Sequence, residues 1–290
     1  MYEFTTGSKL LKLCEAHGKS IGEITMLYEA EISDKSMEDI TDRMAASLNV
    51  MRDAVKTGLT EDIKSVSGLS GGDAKRLYEL LGSVGSLSGA NMTKAVASAM
   101  AVSEVNASMG RIVAAPTAGS CGIIPGALLT AADTLESSEE QIIEALFTAS
   151  GVGITIADSA TLAGAEGGCQ AECGSAAAMA AAAVTELAGG SPEQALNAAA
   201  FTLKAVLGLV CDPVAGLVEV PCVKRNAFGA SNALVAADMA LAGIVSRIPY
   251  DEVVTAMYEV GKAIPYELKE TAKGGLADTP TGRKLKREIL

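Results

Sequence analysis

The segment Ser175-Ala-Ala-Ala-Met-Ala-Ala-Ala-Ala-Val184 is almost entirely alanine. Alanine is the strongest helix former, and its small side chain lets a helix approach its neighbours closely, so the run needs no functional explanation. The composition of the whole 290-residue chain agrees: 49% of it is hydrophobic, but only 3% is aromatic, with no tryptophan and 30 glycines. This composition predicts a tight core of closely packed helices, large enough for one large domain or two small ones.

Helical segments separated by glycine and proline continue on both sides of the alanine run. Ser191-Pro192-Glu193 is a typical helix start, with serine as the N-cap and proline at the first helical position. The piece Ile154-Thr-Ile156 is too short for a strand, and no longer segment alternates with a two-residue period. The sequence therefore predicts an all-α fold. The predicted helices cover residues 8–17, 21–28, 37–57, 73–81, 92–107, 126–135, 138–150, 175–188, 191–209, 231–245 and 250–264.

A cluster of small residues at 65–72 marks the predicted internal boundary. The chain before it is charged, and the chain after it is small and apolar. We predict an N-terminal helical layer over residues 1–72 and a second helical domain over residues 73–290, with one continuous domain as the alternative.

The charge of the chain excludes several classes of partner. A net charge of -12 and a pI near 4.7 disfavour nucleic acid and anionic lipid as partners.

The N-terminus Met1-Tyr-Glu-Phe-Thr-Thr-Gly7 has neither the basic nor the apolar region of a signal peptide, so we expect a cytoplasmic protein without disulfides. The uncharged run 112–132 is long enough to span a membrane, but Pro116 and Pro125 interrupt it, which indicates a buried loop entering a helix.

Three cysteines lie within two residues of a glycine or a proline, in Glu166-Gly-Gly-Cys169-Gln-Ala-Glu172, Val210-Cys211-Asp212-Pro213 and Val220-Pro221-Cys222-Val223. Loops of this kind can bring thiolates from distant parts of a chain to one iron–sulfur cluster. Three thiolates would leave one iron of a four-iron cluster without a protein ligand, and such an iron is a Lewis acid. The alternative, which the spacing leaves open, is that all six cysteines are inert small hydrophobic residues.

Cys173, Cys14 and the single histidine are further possible ligands or bases. Cys173 follows Cys169 by four residues and would share its face on a helix, but the neighbouring glycines indicate a loop or a helix edge. Cys14 lies on a predicted helix in the charged N-terminal third, where we expect it to be inert. His17 is expected at the surface, so the chain offers no obvious imidazole base.

The loop Ala115-Pro-Thr-Ala-Gly-Ser-Cys-Gly122 precedes a predicted helix, and its amides could form a pocket for a small anion such as a carboxylate. A plain packing turn is the alternative. Lys224-Arg225-Asn226 places two cations just after Cys222. They could pair with a substrate carboxylate or with the negative charge of a cluster, or remain a solvated surface pair. The glycines at 71–72 and 151–153 lack the remaining residues of nucleotide-binding motifs.

Three segments together resemble a known family: Ala115-Pro-Thr-Ala-Gly-Ser-Cys-Gly-Ile-Ile-Pro125, Glu166-Gly-Gly-Cys-Gln-Ala-Glu172 and Cys211-Asp-Pro-Val-Ala-Gly-Leu-Val-Glu-Val-Pro-Cys-Val-Lys-Arg-Asn226. They look like the alpha subunit of the iron–sulfur-dependent L-serine dehydratases. The resemblance covers most of residues 90–245, and its motifs are highly specific. It implies a 4Fe-4S cluster in the domain 73–290, with the last iron open to substrate. The implied ligands are Cys169, Cys211 and Cys222, and the set leaves out Cys14, Cys121 and Cys173.

The resemblance also implies a reaction. Elimination of the serine hydroxyl and the α-proton would give aminoacrylate, which tautomerises and hydrolyses to pyruvate and ammonia. The open iron would take the hydroxyl as leaving group, and an iron in this state should be lost to oxygen. The loop would hold the substrate carboxylate or amine, and the general base stays unassigned. The candidate substrate-binding residues are Thr117, Ala118, Gly119, Ser120 and Gly122, with Lys224 and Asn226 as second candidates.

One departure from the family predicts a partner. The family carries a Ser-Ser-Ser-His-Thr motif in a separate domain or beta chain, and this sequence lacks it. We therefore expect a heteromer in which a beta chain brings further active-site groups. One rival is a non-catalytic iron–sulfur subunit with a redox-sensing or structural role, whose spectrum serine would not perturb. A second is a pyridoxal-phosphate dehydratase, which would need Lys94 or Lys224 as its Schiff-base lysine.

Overall fold

The chain folds into α-helices joined by short loops in the computed structural model, which describes residues 1–82 and 85–290. Within those ranges no β-strand forms, and an isolated bridge pairs Cys211 with Lys269. The predicted all-α fold is confirmed. The helices of the described residues are α1 Gly7–His17, α2 Ile21–Ser33, α3 Met37–Thr60, α4 Asp73–Glu79, α5 Ala90–Ala107, α6 Ile123–Thr134, α7 Glu139–Ser159, α8 Gly164–Gly167, α9 Ser175–Leu187, α10 Pro192–Ala205, α11 Cys222–Leu241, α12 Tyr250–Ala263 and α13 Pro280–Ile289.

The alanine-rich helix α9 lies at the centre of the fold. All its alanines between Ala176 and Ala183 are fully buried, and helices α6, α7, α10 and α11 pack around it. Alanine allows four neighbours to approach one helix because it adds almost no width to the helix surface. The core is completed by larger aliphatic side chains such as Ile123, Ile156 and Leu203, which are also fully buried.

The first three helices pack against later ones. Helix α2 lies along α7, and α3 lies along α5. Ser20 and Ser36 start α2 and α3 with complete capping boxes, as serine does at helix N-termini. The predicted division of the chain at 65–72 stays a prediction.

The two largest errors in the predicted helix boundaries are nine residues each. Helix α7 was expected to end at Ser150 but continues through Gly151 and Gly153 to Ser159. Both glycines are buried against other helices, so they serve close packing and do not stop the helix. Helix α11 begins at Cys222, nine residues before its predicted start. Helices α8 and α13 were not predicted.

Helix α7 is also the one helix of the described ranges that is long and apolar enough to cross a membrane. Its apolar window is 67% buried inside the fold, which is what a core helix requires. The uncharged run 112–132 forms a loop followed by most of α6, as the interrupting prolines predicted.

Candidate metal centre

Four cysteines from three separate segments lie together at one end of α9 and α11. Cys169 immediately precedes a π-helical turn, Gln170–Gly174, which contains Cys173 and leads directly into α9. Turns of this type are rare and occur frequently at functional sites. Cys211 lies in the extended segment between α10 and α11, and Cys222 is the first residue of α11. All four side chains are buried.

The segment around Cys211 is fixed by the chain that follows α12. Cys211 N donates a hydrogen bond of 2.9 Å to Leu268 O, and Glu270 N donates one of 2.7 Å to Cys211 O. The next residue, Asp212, accepts hydrogen bonds from Leu276 N and from the Arg225 guanidinium, each at 2.8 Å. The C-terminal segment therefore holds Cys211 in place against α11.

The sulfurs are close enough for each charge to affect the others. Cys169 Sγ and Cys173 Sγ form a hydrogen-bonded pair 3.3 Å apart, which holds the pKa of Cys169 below its usual range, with help from Arg225. Burial, and then the charge of Cys169, raises the pKa of Cys222 to about 12 and also raises that of Cys211. The structure thus brings the three predicted ligands together, with Cys173 beside them.

This donor set fits a cluster better than a single ion. Among the described residues no three Cys, His, Asp or Glu side chains converge as the ligands of one metal ion do. In a four-iron cluster each thiolate binds a different iron, so its sulfurs need not converge on a point. Three buried cysteine sulfurs, one with a lowered pKa, are the soft donors that iron–sulfur clusters require.

The carboxyl group of Glu172 lies beside these sulfurs. Thr117 Oγ1 donates a hydrogen bond to Glu172 Oε1. A Cβ placed on Gly119 would lie 2.5 Å from Oε1, and one placed on Gly164 would lie 3.3 Å from Oε2 and 3.2 Å from Cys211 Sγ. Gly119 therefore leaves the space that the carboxylate occupies, and Gly164 lies close to it. Burial raises the pKa of Glu172, and the charge of Glu270 adds to this effect.

Glu270 is a second carboxylate at the same place. Its Oε2 lies 3.5 Å from the position that a Cβ on Gly164 would occupy, and its charge also raises the pKa of Cys211, after burial and Cys169. Its backbone has a φ of 63°, in the left-handed region that a non-glycine residue seldom adopts. The backbone bond to Cys211 holds it there.

The loop Ala115–Gly122 forms one wall of this site. Residues 118–120 make a single 3₁₀ turn that leads into α6, and the first two amides of that turn, of Ala118 and Gly119, find no acceptor in the described part of the chain. The structure thus places the predicted loop against Glu172 and the cysteines.

Comparison with known proteins then decides the family. A profile described as "Serine dehydratase alpha chain" matches residues 16–277. The chain belongs to the serine dehydratase alpha chain family. It is 53% identical over 287 residues to a "Probable L-serine dehydratase, alpha chain" of Bacillus subtilis, covering 99% of this chain and 95% of the relative. It is 47% identical to the "L-serine dehydratase, alpha chain" of Peptoniphilus asaccharolyticus, covering 98% of each. An "L-serine dehydratase" of Streptomyces coelicolor is 39% identical, but the match covers 95% of this chain and only 61% of that protein.

The two further candidates for substrate binding in this alpha chain differ in their surroundings. Asn226 is fully buried: its Nδ2 donates to Gly119 O at 2.7 Å and to Cys222 O at 3.0 Å, while its Oδ1 accepts from Gly122 N at 2.9 Å. It ties the loop to α11. Lys224 is half exposed, and its Nζ forms an ion pair with Asp73. Their predicted contact with substrate stays a prediction.

The remaining residues singled out in the sequence are not grouped with the four cysteines. Cys14 is buried on α1, where burial raises its pKa to about 12, and His17 is exposed on the same helix. Cys121 belongs to a separate apolar cluster with Val102 and Val105. Lys94 forms an ion pair with Asp133.

Sequence reasoning missed both carboxylates of the site. Glu172 ends one of the motifs of this family, but nothing in the spacing showed that its side chain would turn toward the cysteines. The π-helical turn gives it that direction. Glu270 is 59 positions from Cys211 in the sequence, and no motif marks it. A cavity of about 630 Å³ opens beside the site, with Cys173, Arg225 and Phe228 in its wall.

Proposed function

We propose that this chain is the alpha chain of an L-serine dehydratase, which acts in the cytoplasm with a separate beta chain and converts L-serine into pyruvate and ammonia. The observation that carries the proposal is the meeting of Cys169, Cys211 and Cys222, from three separate segments, beside the loop Ala115–Gly122. The names of the Bacillus and Peptoniphilus relatives support serine as the substrate.

In this proposal Cys169, Cys211 and Cys222 hold a 4Fe-4S cluster. When bound, that group supplies an iron without a protein ligand, a Lewis acid that favours departure of the serine hydroxyl. The chain contributes the arrangement of the ligands. Helix α11 presents Cys222, and the π-helical turn follows Cys169. Cys211 is fixed by the backbone hydrogen bonds that it donates to Leu268 O and accepts from Glu270 N.

The other residues of the site bind and orient the substrate. The loop residues from Thr117 to Gly122 hold the serine carboxylate or amine, and Asn226 keeps this loop at a fixed distance from Cys222. Positioning of this kind is a large part of catalysis, because a displacement of about 1 Å can cost about 100-fold in rate.

The reaction itself is a β-elimination. Loss of the α-proton and of the β-hydroxyl converts L-serine into aminoacrylate and water. Aminoacrylate tautomerises to an imine, which water hydrolyses to pyruvate and ammonia. The general base stays unassigned, and the beta chain is a candidate source of it.

The Streptomyces relative supports the need for a partner. This chain covers 61% of that single-chain protein, so more than a third of it has no counterpart here. We propose that a beta chain supplies the missing part, including the Ser-Ser-Ser-His-Thr motif.

Anaerobic reconstitution tests the proposal. Iron and sulfide are counted in the wild-type chain and in Cys211→Ala, and serine-dependent pyruvate is measured after mixing with the beta chain. Cys14→Ala, which removes a buried thiol away from the site, is the matched control. We expect the wild type and Cys14→Ala to bind four irons and produce pyruvate, and Cys211→Ala to lose both properties.

Two results would contradict the proposal. If Cys211→Ala kept the full iron content, the ligand set would be wrong. If serine changed neither the spectrum of the loaded complex nor the amount of pyruvate, the non-catalytic alternative would be correct.

A further inference from the structure

The carboxylate of Glu172 has one oxygen in use and one available. Oε1 accepts the hydrogen bond of Thr117, whereas Oε2 accepts none from the described residues. Oε2 lies between the two glycines of the site, 3.0 Å from the Cβ position of Gly119 and 3.3 Å from that of Gly164. A half-buried carboxylate oxygen thus faces the space next to Cys211.

A second carboxylate lies close to this oxygen. Glu270 Oε2 is 3.5 Å from the Cβ position of Gly164, and Glu172 Oε2 is 3.3 Å from the same position. A buried carboxylate is costly unless a donor or a cation compensates it.

Arg225, a cation whose charge acts on Glu172, already has hydrogen-bond partners. The guanidinium of Arg225 donates to Asp212 Oδ1 at 2.8 Å and to Val210 O at 2.9 Å. Lys224, on the same helix, is paired with Asp73. The site therefore has an excess of negative charge that a ligand with a positive group would balance. An α-amino acid brings such a group, the α-ammonium, with three hydrogen-bond donors.

We propose that Glu172 binds the α-ammonium group of the substrate through Oε2 and thereby selects α-amino acids over α-hydroxy acids. Glu270 strengthens this selection by its charge. The inference rests on the proposed dehydratase function, because that function makes an amino acid the ligand. It assigns Glu172 to binding and leaves proton removal to another group.

Two unreactive ligands isolate the contribution of the ammonium. L-Alanine and L-lactate have the same carbon skeleton and carboxylate, but only L-alanine carries the ammonium. Both lack the β-hydroxyl, so neither undergoes the elimination. Their dissociation constants are measured by calorimetry with the cluster-loaded complex of this chain and its beta chain, for the wild type and for Glu172→Gln.

Glu172→Gln keeps the shape of the side chain and its bond to Thr117 but removes the charge. We expect it to weaken L-alanine binding by about tenfold or more and L-lactate binding by less than about twofold, because a charge-assisted hydrogen bond is lost only with the ammonium. Glu172→Asp should keep a preference for L-alanine. Glu166→Gln, at an exposed carboxylate six residues away that accepts from Thr161, should behave as the wild type.

Three outcomes would overturn the inference. Equal weakening of both ligands would show a structural role, and a loss of turnover with unchanged binding would show proton transfer. A changed spectrum of the loaded variant before any ligand is added would make Glu172 an iron ligand. The preference for L-alanine is measured without turnover. A wild-type complex that showed this preference but produced no pyruvate from serine would contradict only the proposed function.

Discussion

Asn226 and Gly122 are joined by a buried hydrogen bond of 2.9 Å although 104 positions separate them in the sequence. Asn226 also donates to Gly119 O, so one side chain at the start of α11 satisfies both ends of the short turn that precedes α6. The candidate substrate loop and the candidate ligand Cys222 are thereby held in one rigid unit.

Replacement of Asn226 by alanine should destabilise the fold. It would leave the Gly122 amide and the Gly119 carbonyl buried without partners, which should lower the free energy of unfolding by about 2 to 4 kcal/mol. Urea denaturation measures the change. Asn232→Ala, on the same helix with a bond of 3.5 Å to Thr202 O, is the control and should cost less than about 1 kcal/mol. Equal losses in the free energy of unfolding of the two variants would show that the hydrogen bonds of Asn226 to the loop are not specifically important for stability.

Gly119→Ala should impair turnover more than folding. The added Cβ would lie 2.5 Å from Glu172 Oε1 and would displace that carboxylate. We expect serine-dependent pyruvate formation to fall by roughly 10- to 100-fold. Gly82→Ala is the control, because a Cβ there meets no heavy atom of residues 1–82 or 85–290 within 4 Å. Wild-type kinetics in Gly119→Ala would show that the position of Glu172 does not matter.

Cys173→Ala should distinguish a three-cysteine site from a four-cysteine site. Cys173 contacts Cys169 at 3.3 Å, yet it lies outside the ligand set that the resemblance implies. We expect the variant to bind as much iron as the wild type after anaerobic reconstitution, and Cys169→Ala to bind much less. Iron counting provides the measurement. If Cys173→Ala also lost its iron, all four thiols would have to be ligands.

The loaded complex should be sensitive to air. An iron without a thiolate ligand is exposed to oxidants, so we expect serine-dependent activity to decay on exposure to oxygen and to return with ferrous iron and a reductant. Activity and iron content are followed together over time, with a sample kept anaerobic as control. Turnover that persisted in air with an unchanged iron content would count against the proposed mechanism.

Glu186 should make stability depend on pH. Burial raises the pKa of this carboxyl above its ordinary value of 4.5, although it accepts bonds from Thr148 and from the first amides of α2. The folded state therefore holds the proton more tightly than the unfolded state, so its contribution to stability falls as pH rises from 4.5 through the raised pKa. Glu186→Gln removes this titration.

Urea denaturation over a pH series tests the sign of this effect. The stability of the wild type relative to Glu186→Gln should decrease as pH rises over that range and should level off above it. Glu186 and Glu193 both line a cavity of about 780 Å³, and Glu193 is exposed. Glu193→Gln is therefore the control variant, and its stability should follow that of the wild type over the pH series. A difference that stayed constant with pH would contradict the prediction.

Local signals predicted most of the helices. The Gly18 stop marked the end of α1, and the Ser191 cap marked the start of α10. The same signals failed at Gly151 and Gly153, because a glycine that stops an exposed helix also permits close packing of a buried one. They failed again at Cys222. Helix α11 begins there directly after a proline, without a capping side chain that a sequence pattern could detect.

The sequence by itself determined the all-α class, the alanine-rich central helix and the three cysteines that were expected to meet, because helix propensity and the chemistry of a thiol are properties of single residues and short segments. Only the tertiary structure decided that Glu172 and Glu270 lie beside Cys211 and that Asn226 ties the loop to α11. These groups bring together residues that are 39 to 107 positions apart in the sequence. Their positions depend on how α9, α11 and the C-terminal segment pack, and no local sequence pattern encodes that packing.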